Sequence, residues 1–208
     1  MRKSIAILLA VLAAAPLLAQ NIKLPAPGKT GGKPFMQCLA ERKTVRSFKA
    51  DAQLTEQQIS NLLYAAWGFN RPGKRTVPTA RNMQDSDLYI ALKSGVYHYN
   101  AKDNVLELKV KGDHKAVIGR QTSMFRSAAA VLIYVSDFNK MKNMPREKQI
   151  LYSAAHAGSA YQDVYLYCAS ENLGTVVCGL IFEDKIRSLL KLPKTTAVLF
   201  AQPVGVLK

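Results

Sequence analysis

The sequence predicts an α+β fold in which helices flank one mixed β-sheet. An uninterrupted apolar run at 128–135 (AAAVLIYV) is typical of a strand that is covered on both faces. Before it, three segments at 88–92, 95–99 and 105–110 alternate between apolar and polar residues and are separated by turn residues, which indicates a strand meander. Segments with helical periodicity precede, separate and follow these strands.

Length and composition limit the possible functions. The chain has 208 residues, of which 49% are hydrophobic and 21% charged, so it is long enough for one domain with a substantial core. This composition excludes a disordered tail and a polytopic membrane protein. Its 29 Lys and Arg against 14 Asp and Glu give a formal net charge of +15. That excess favours an anionic partner: nucleic acid, a membrane surface, a phosphorylated cofactor or an acidic substrate.

The N-terminus is typical of a secretory signal peptide. Arg2 and Lys3 precede an uncharged apolar run at 5–19 that is short for a membrane span and ends in small residues. An uncleaved membrane anchor is the alternative, and Pro16 within the run argues against it. We therefore expect residues 1–19 to be removed, the protein to be periplasmic, and the mature chain not to insert stably in a membrane.

Start and stop signals place the first elements of the mature chain. An arm at 20–33, rich in Pro, Gly and Lys, is expected to be extended and to have no core of its own. A short helix follows at 34–43. Thr55 is a suitable N-cap for a helix over 56–67, and a loop with turn signals follows at 69–80.

The second half is predicted to be dominated by one long helix. It begins at Pro145 and runs to about Asn172, with Gly174 as its stop signal. A short strand, a short helix and a final strand follow at 175–178, 183–190 and 196–206. Small residues at 154–160 form a surface where another helix could approach closely, either within the subunit or from a second one. His156 lies in this segment and is expected to be a satisfied core or interface histidine.

The densest polar cluster follows the first predicted helix. Arg42, Lys43, Thr44 and Arg46 place three cations and a hydroxyl within five residues, which suits a phosphate group. An ordinary solvated charge run explains the same residues equally well.

Two further segments have possible binding chemistry. At 78–84, Asn82 and Gln84 offer paired donor and acceptor groups of the kind that read the edge of a heterocycle. At 173–179, Gly179 would let backbone N–H groups approach a flat ligand closely. An ordinary polar loop and a plain helix–strand connection are the alternatives.

Other chemistries have no supporting pattern. The three cysteines, Cys38, Cys168 and Cys178, are an odd number without a disulfide framework, which favours free thiols over a bridge between Cys168 and Cys178. No metal-binding motif is present. The cations are dispersed and no nucleic-acid-binding motif occurs, so we expect no nucleic acid partner.

The order of the three clusters resembles that of the FMN-dependent nitroreductase family over nearly all of the mature chain. Residues 42–48 are similar to the family's Arg-Arg-Ser-x-Arg-x-Phe opening, 78–84 to its Pro-Ser-x-x-Asn-x-Gln loop, and 173–179 to its Leu-Gly-Thr-x-x-x-Gly segment. The stretch 75–108, with Gly-Val-Tyr-His-Tyr-Asn at 95–100, looks closest to the azoline dehydrogenase branch. Members of that branch oxidise peptide-derived thiazolines and oxazolines to aromatic heterocycles.

The resemblance implies a nitroreductase-like domain over 34–208 that binds FMN at the interface of a homodimer. The residues implied to hold the phosphate and the ribityl chain are Arg42, Lys43, Thr44 and Arg46, with Lys208 as a further candidate. Asn82, with Gln84 in the same loop, would meet the edge of the isoalloxazine ring. The backbone around Cys178 and Gly179 would face the reactive nitrogen of the flavin.

The chain departs from the family pattern in several places. Lys43 and Thr44 replace Arg and Ser and keep the charge or the hydroxyl, so phosphate binding should survive. Asp85 stands where many members have proline, which affects the expected fit near the ring.

The implied function is that of an exported FMN-dependent oxidoreductase that transfers hydride between flavin and a small organic substrate. The substrate is expected to stack between the loop at 69–74 and the helices of the partner subunit. Because NAD(P)H is not expected outside the inner membrane, oxidation of the substrate with electrons passed to oxygen or a quinone is favoured. A non-enzymatic periplasmic binding module for flavin or another anionic ligand is the alternative.

Overall fold

The computed structural model describes residues 20–208, so the predicted signal peptide at 1–19 lies outside the described residues. The strands in chain order are β1 (Ile22–Lys23), β2 (Phe69–Arg71), β3 (Lys74–Arg75), β4 (Ser86–Ala91), β5 (Gly95–Asn100), β6 (Val105–Lys111), β7 (Ala130–Asp137), β8 (Leu173–Thr175) and β9 (Thr196–Val206). Seven of them form one sheet in the order β1-β6-β5-β4-β7-β9-β8, and β2 and β3 form a separate hairpin.

Five α-helices flank this sheet in the described part of the chain. They are α1 (Phe35–Glu41), α2 (Glu56–Trp67), α3 (Thr122–Ser127), α4 (Arg146–Ser170) and α5 (Glu183–Leu190). The predicted start of α2 is confirmed, because the Thr55 side chain accepts from the Gln58 N–H at 3.1 Å while the Gln58 side chain accepts from the Thr55 N–H at 3.0 Å. This reciprocal capping box satisfies two donors that the helix itself leaves free.

Strand β7 lies in the middle of the sheet, and its side chains alternate between two apolar cores. Leu132 and Tyr134 belong to the core on the side of α2 and α4. Val131, Ile133 and Val135 belong to the core on the side of α3 and α5. The prediction that this strand is covered on both faces is therefore confirmed, and with it the α+β class.

The sheet differs from the expected one in its strand directions. All pairings among the seven described strands are antiparallel, whereas we expected a mixed sheet. Strand direction depends on which strands become neighbours: β9 returns between β7 and β8, and periodicity along the chain does not encode that neighbour relation.

Local differences have local causes. The arm is part of the fold, since Ile22 pairs with Leu106 and the Leu24 side chain is buried in the core. Helix α4 ends at Ser170, and Asn172 just beyond it takes the left-handed conformation (φ 55°), whereas Gly174 lies within β8. Helix α3 was not predicted. Residues 20–208 include no helix that is both long and apolar enough to cross a membrane.

Candidate functional site

The predicted phosphate-binding segment is attached to the sheet by its backbone. The Val45 N–H donates to the Thr175 carbonyl at 2.9 Å, and the Lys49 N–H donates to the Val206 carbonyl at 2.9 Å. Phe48 forms an isolated bridge with Leu207. The segment therefore lies beside the ends of β8 and β9, next to the C-terminal residue of the chain.

Tyr165 of α4 connects this segment to the loop after β8. Its hydroxyl accepts from the Val177 N–H at 3.0 Å and lies 3.3 Å from the Thr44 hydroxyl oxygen. The Arg42 guanidinium lies 5.3 Å from the centroid of the Tyr165 ring. The tertiary fold thus brings together two of the three clusters that the sequence singled out.

The loop after β8 presents backbone next to these cations. The Cys178 N–H donates to the Ala201 carbonyl at 2.8 Å, which fixes the loop to β9. The Gly179 N–H that follows has no acceptor within the described chain, and a Cβ placed on Gly179 would meet nothing within 4 Å. Burial raises the pKa of the Cys178 thiol, although the nearby Arg46 charge acts in the opposite direction, so Cys178 is a neutral thiol there.

Arg46 lies near the Cys178 thiol, and Arg42 lies over the Tyr165 ring. Lys43 belongs to the same segment, and Lys208 follows Leu207, which pairs with Phe48. We call Arg42, Lys43, Arg46 and Lys208 the basic cluster. None of the four forms an ion pair with a carboxylate anywhere in residues 20–208. Cations without ion pairs on and beside one backbone-anchored segment suit a phosphate group. The residues present therefore fit the phosphate end of the cofactor that the resemblance implies.

The predicted ring-binding loop is residues 78–84, and we call it the amide loop. Three of its residues take the left-handed conformation, with φ of 50° at Arg81, 55° at Asn82 and 47° at Gln84. The Asn82 and Gln84 side-chain amides donate to the Gly73 carbonyl at 3.3 and 2.8 Å. Arg75 donates from Nε to the Gln84 amide oxygen at 2.9 Å.

A buried polar network holds the amide loop to α4. The Asp85 carboxylate accepts from His156 Nδ1 at 2.5 Å, from the Ser136 hydroxyl at 2.6 Å and from the Ser153 hydroxyl at 2.9 Å. His156 Nε2 in turn accepts from the Ala80 N–H at 2.7 Å. The expectation of a satisfied buried histidine is confirmed, because both ring nitrogens have partners.

The charge of Asp85 is stabilised inside the protein although the residue is fully buried. Burial by itself would raise the pKa of Asp85, but the hydrogen bonds from His156, Ser136 and Ser153 outweigh burial and lower the pKa below its usual value. Asp85 therefore anchors the loop. The only sign of this network in the sequence is the acidic residue next to the motif.

The amide loop and the segment of the basic cluster contact α4 at different points. His156, which contacts the loop, and Tyr165, which contacts the basic segment, are nine residues apart on α4. At about 1.5 Å per residue this places them about 13 Å apart along the helix axis. A single copy of the chain thus presents the two predicted halves of the cofactor site at different places.

Arg75 occupies an aromatic cage next to the amide loop. Its guanidinium carbon lies 3.9 Å from the Phe69 ring centroid and 4.9 Å from that of Trp67. Burial lowers the pKa of Arg75 to about 10, and the group keeps its charge at neutral pH. Arg75 therefore ties the β2–β3 hairpin to Gln84, a role that sequence reasoning missed.

The cysteines and acidic residues give no other site in residues 20–208. Cys38, Cys168 and Cys178 are all free, as expected. No group of three or more His, Cys, Asp or Glu side chains in this part of the chain could hold a metal ion.

Comparison with known proteins identifies the family. The model of the nitroreductase family matches residues 39–206. A candidate nitroreductase of Methanocaldococcus jannaschii is 28% identical over 177 residues, which are 80% of this chain and 88% of that protein. A solved structure of a candidate nitroreductase from Ralstonia eutropha JMP134 is 33% identical, with a TM-score of 0.85 over 94% of this chain and 93% of that one. This chain belongs to the nitroreductase family, a family of flavin-dependent oxidoreductases.

More distant structures share the fold. The NADPH:FMN oxidoreductase of Vibrio harveyi is 20% identical, with a TM-score of 0.62 over 84% of this chain and 69% of that one. A chain of the Escherichia coli microcin synthetase complex is 18% identical, with a TM-score of 0.68 over 96% of this chain and 85% of that one. At these identities the similarity describes the architecture alone.

Proposed function

We propose that this protein is an FMN-dependent oxidoreductase that exchanges hydride with a small organic substrate. The observation that carries the proposal is the basic cluster: its four cations form no ion pair within residues 20–208, and Arg46 lies near Cys178 in the loop that carries the free Gly179 N–H. FMN is a phosphorylated flat ring, and it accepts or donates hydride when bound. Membership of the nitroreductase family supports the same cofactor.

The chain's own groups divide the work of binding. Arg42, Lys43 and Arg46 would hold the phosphate as charge-assisted donors, with Lys208 reaching it from the chain end. The Thr44 hydroxyl, positioned by Tyr165, would bind the ribityl side. The Gly179 backbone would approach the ring, since no side chain intervenes there.

A second copy of the chain would supply the ring-edge contacts. The amide loop and the segment of the basic cluster contact α4 at separate points, and Asn82 and Gln84 would reach the flavin of the partner subunit. Exposed apolar side chains on α1 and α4, including Met36 (72% exposed) and Leu151 (56%), support a partner that covers them. On the small-residue face of α4, Ala155 is exposed while Ala157 packs inside the subunit.

We also propose where the protein works and in which direction. Export by the predicted signal peptide would place it in the periplasm, where NAD(P)H is not expected as a hydride source. Oxidation of the substrate, with electrons passed to oxygen or a quinone, fits this location and the similarity of residues 75–108 to azoline dehydrogenases.

The central test is the absorption spectrum of the purified protein. We expect stoichiometric flavin in the native chain, bleaching by substrate or dithionite, and reoxidation by oxygen or a quinone. Arg42→Ala/Arg46→Ala should weaken FMN binding by about 100-fold, because two charge-assisted phosphate contacts are lost. Arg126→Ala/Lys111→Ala removes the same charge elsewhere and should leave FMN binding nearly unchanged.

Three outcomes would count against parts of the proposal. Native protein that holds no bound flavin after incubation with FMN contradicts the cofactor assignment. Retained stoichiometric flavin in Arg42→Ala/Arg46→Ala contradicts the site. Bound flavin that no substrate reduces and no acceptor oxidises supports the non-enzymatic binding module instead.

Two further measurements test the assembly and the location. Light scattering should give the mass of a dimer, and Leu151→Glu should shift it to a monomer that has lost flavin. Mass spectrometry of the exported protein should show a chain without residues 1–19. A monomeric native protein, or an intact N-terminus in the cytoplasm, would overturn the corresponding proposal.

A further inference from the structure

A wide cleft is lined by residues other than those of the basic cluster. Its volume is about 750 Å³, and it lies between the arm, the β2–β3 hairpin and the turn that follows β5. A volume of this size accommodates a small organic molecule.

The arm forms a fixed wall of this cleft. The Gly28 N–H donates to the Asn61 side chain at 2.8 Å, and Ser60 donates to the Pro25 carbonyl at 2.6 Å. On the opposite side, Asn104 donates to the same Pro25 carbonyl at 2.7 Å. Because the arm is bound to both α2 and the β5–β6 turn, the cleft is a preformed feature of the fold.

Aromatic rings form the inner surface of the cleft. Tyr64, Phe69 and Tyr99 line it, and the far face of Phe69 is covered by the Arg75 guanidinium. The Tyr99 hydroxyl donates to the Asn104 side chain at 3.2 Å, which fixes its ring. Ring faces held in this way favour a flat apolar or aromatic ligand.

Three cations are among the residues that line the cleft. Lys29, Arg71 and Lys102 come from its three walls, and none of them forms an ion pair within residues 20–208. No acidic side chain lines the cleft. The nearby Asp103 carboxylate already accepts from Asn100 at 3.0 Å. Three unpaired positive charges around one concave surface attract an anion.

The cleft also adjoins the amide loop. Gly73 lines the cleft, and its carbonyl accepts the hydrogen bonds from Asn82 and Gln84. We propose that this cleft is the substrate site and that it selects planar aromatic anions, which stack on the rings while Lys29, Arg71 and Lys102 bind the acidic group. The role as a substrate site rests on the proposed function, whereas the binding of a planar anion does not.

The test compares two probes of equal shape and different charge on the full mature chain. Equilibrium dialysis should show that 2-naphthoate binds more tightly than the neutral 2-naphthamide, and that added salt reduces this preference. Lys29→Gln/Arg71→Gln/Lys102→Gln should weaken 2-naphthoate binding by about tenfold, since each exposed charge contributes a fraction of a kcal/mol. Binding of 2-naphthamide should change little.

Control variants distinguish the loss of the cleft charges from a general loss of positive charge. Lys111→Gln/Arg126→Gln/Lys194→Gln removes the same number of charges away from the cleft and should leave 2-naphthoate binding nearly unchanged. Ala101→Phe fills the cleft and should remove binding of both probes. If the triple variant does not fold, Lys102→Gln alone should still weaken 2-naphthoate binding about twofold.

The outcomes are distinguishable from those of the flavin test. Equal binding of both probes, no binding of either, or equal losses in the two triple variants would overturn the cleft proposal. Because the readout is binding, a colourless protein that still prefers 2-naphthoate would refute the flavin assignment and leave the anion site standing. A yellow protein that shows no preference for 2-naphthoate would support the flavin assignment and refute the anion site.

Discussion

The basic cluster and the amide loop are held in place by opposite means. The segment that carries Arg42, Lys43 and Arg46 is attached to the sheet through main-chain hydrogen bonds at Val45 and Lys49. Its cations form no ion pair within residues 20–208. The amide loop contains three left-handed residues and is tied to the interior through the buried pair Asp85–His156. Backbone strain persists only where surrounding contacts compensate for it.

Because of this difference, we expect substitutions in the basic cluster to change ligand affinity and substitutions at the anchor of the amide loop to change folding stability. Residues of the basic cluster can be substituted with little effect on folding, because they leave no buried group without a partner. Residues that anchor the amide loop cannot be substituted without a loss of stability, because each forms a hydrogen bond with a buried charge or a buried donor. The predictions below test that separation, beginning with the largest effect.

His156→Ala should lower the free energy of unfolding by about 3 kcal/mol, because it leaves the Asp85 carboxylate buried with two hydroxyls and the Ala80 N–H without its acceptor. Chemical denaturation measures the change. His98→Ala is the matched control: His98 is partly exposed near Asp87 and Glu107, and its loss should cost under about 1 kcal/mol. Similar losses in both variants would contradict the anchor.

The same network predicts an acid-dependent stability. The pKa of Asp85 is lower in the folded protein than its usual value of about 3.9, so the unfolded chain takes up the proton first as the pH falls. The contribution of Asp85 is therefore present above about pH 4 and is lost as the pH falls through the folded value. Asp85→Asn should be less stable at neutral pH and show a flatter acid limb in thermal melts.

Tyr165→Phe tests the phosphate side. Removal of the hydroxyl leaves the Val177 N–H without its acceptor and should cost about 1 kcal/mol of unfolding free energy. FMN affinity should fall as well, because Thr44 loses its neighbour. Tyr161→Phe, on the same helix, is the control, since the Tyr161 hydroxyl forms no hydrogen bond within residues 20–208. An unchanged flavin affinity in Tyr165→Phe would show that Tyr165 does not contribute to the flavin site.

Asp163 of α4 tests the helix from which both regions are held. Burial raises the pKa of Asp163 to about 6, so ionisation of this group opposes folding as the pH rises through that value. Asp163→Asn should therefore gain up to about 1 kcal/mol of unfolding free energy above pH 6, and no more than a few tenths below pH 4. Equal effects at both pH values would show that the charge is not the cause.

Arg42→Gln should have the smallest effect on folding of the five positions. We expect the free energy of unfolding to stay within about 0.5 kcal/mol of the native value, while FMN affinity falls by about tenfold. Denaturation of the flavin-free protein and flavin titration measure the two quantities separately. A loss of stability comparable to that of His156→Ala would remove the contrast between the two regions.

The sequence by itself determined the elements and the chemistry of each segment. The capping box at Thr55, the buried run of β7 and the order of the three polar clusters depend on neighbours along the chain, and such local patterns are readable directly. The segment that carries Arg42, Lys43 and Arg46 and the Val177–Gly179 loop were expected to share one site. Tyr165 contacts both, and no sequence motif predicted these contacts.

Only the tertiary structure decided which segments meet. The antiparallel order of the sheet, the aromatic cleft beneath the arm, and the burial of Asp85 against His156 all join residues that are far apart in sequence. Contacts of this kind depend on how separate elements pack, and one sequence does not record that packing. The same packing attaches the amide loop and the segment of the basic cluster to α4 at residues nine apart, His156 and Tyr165.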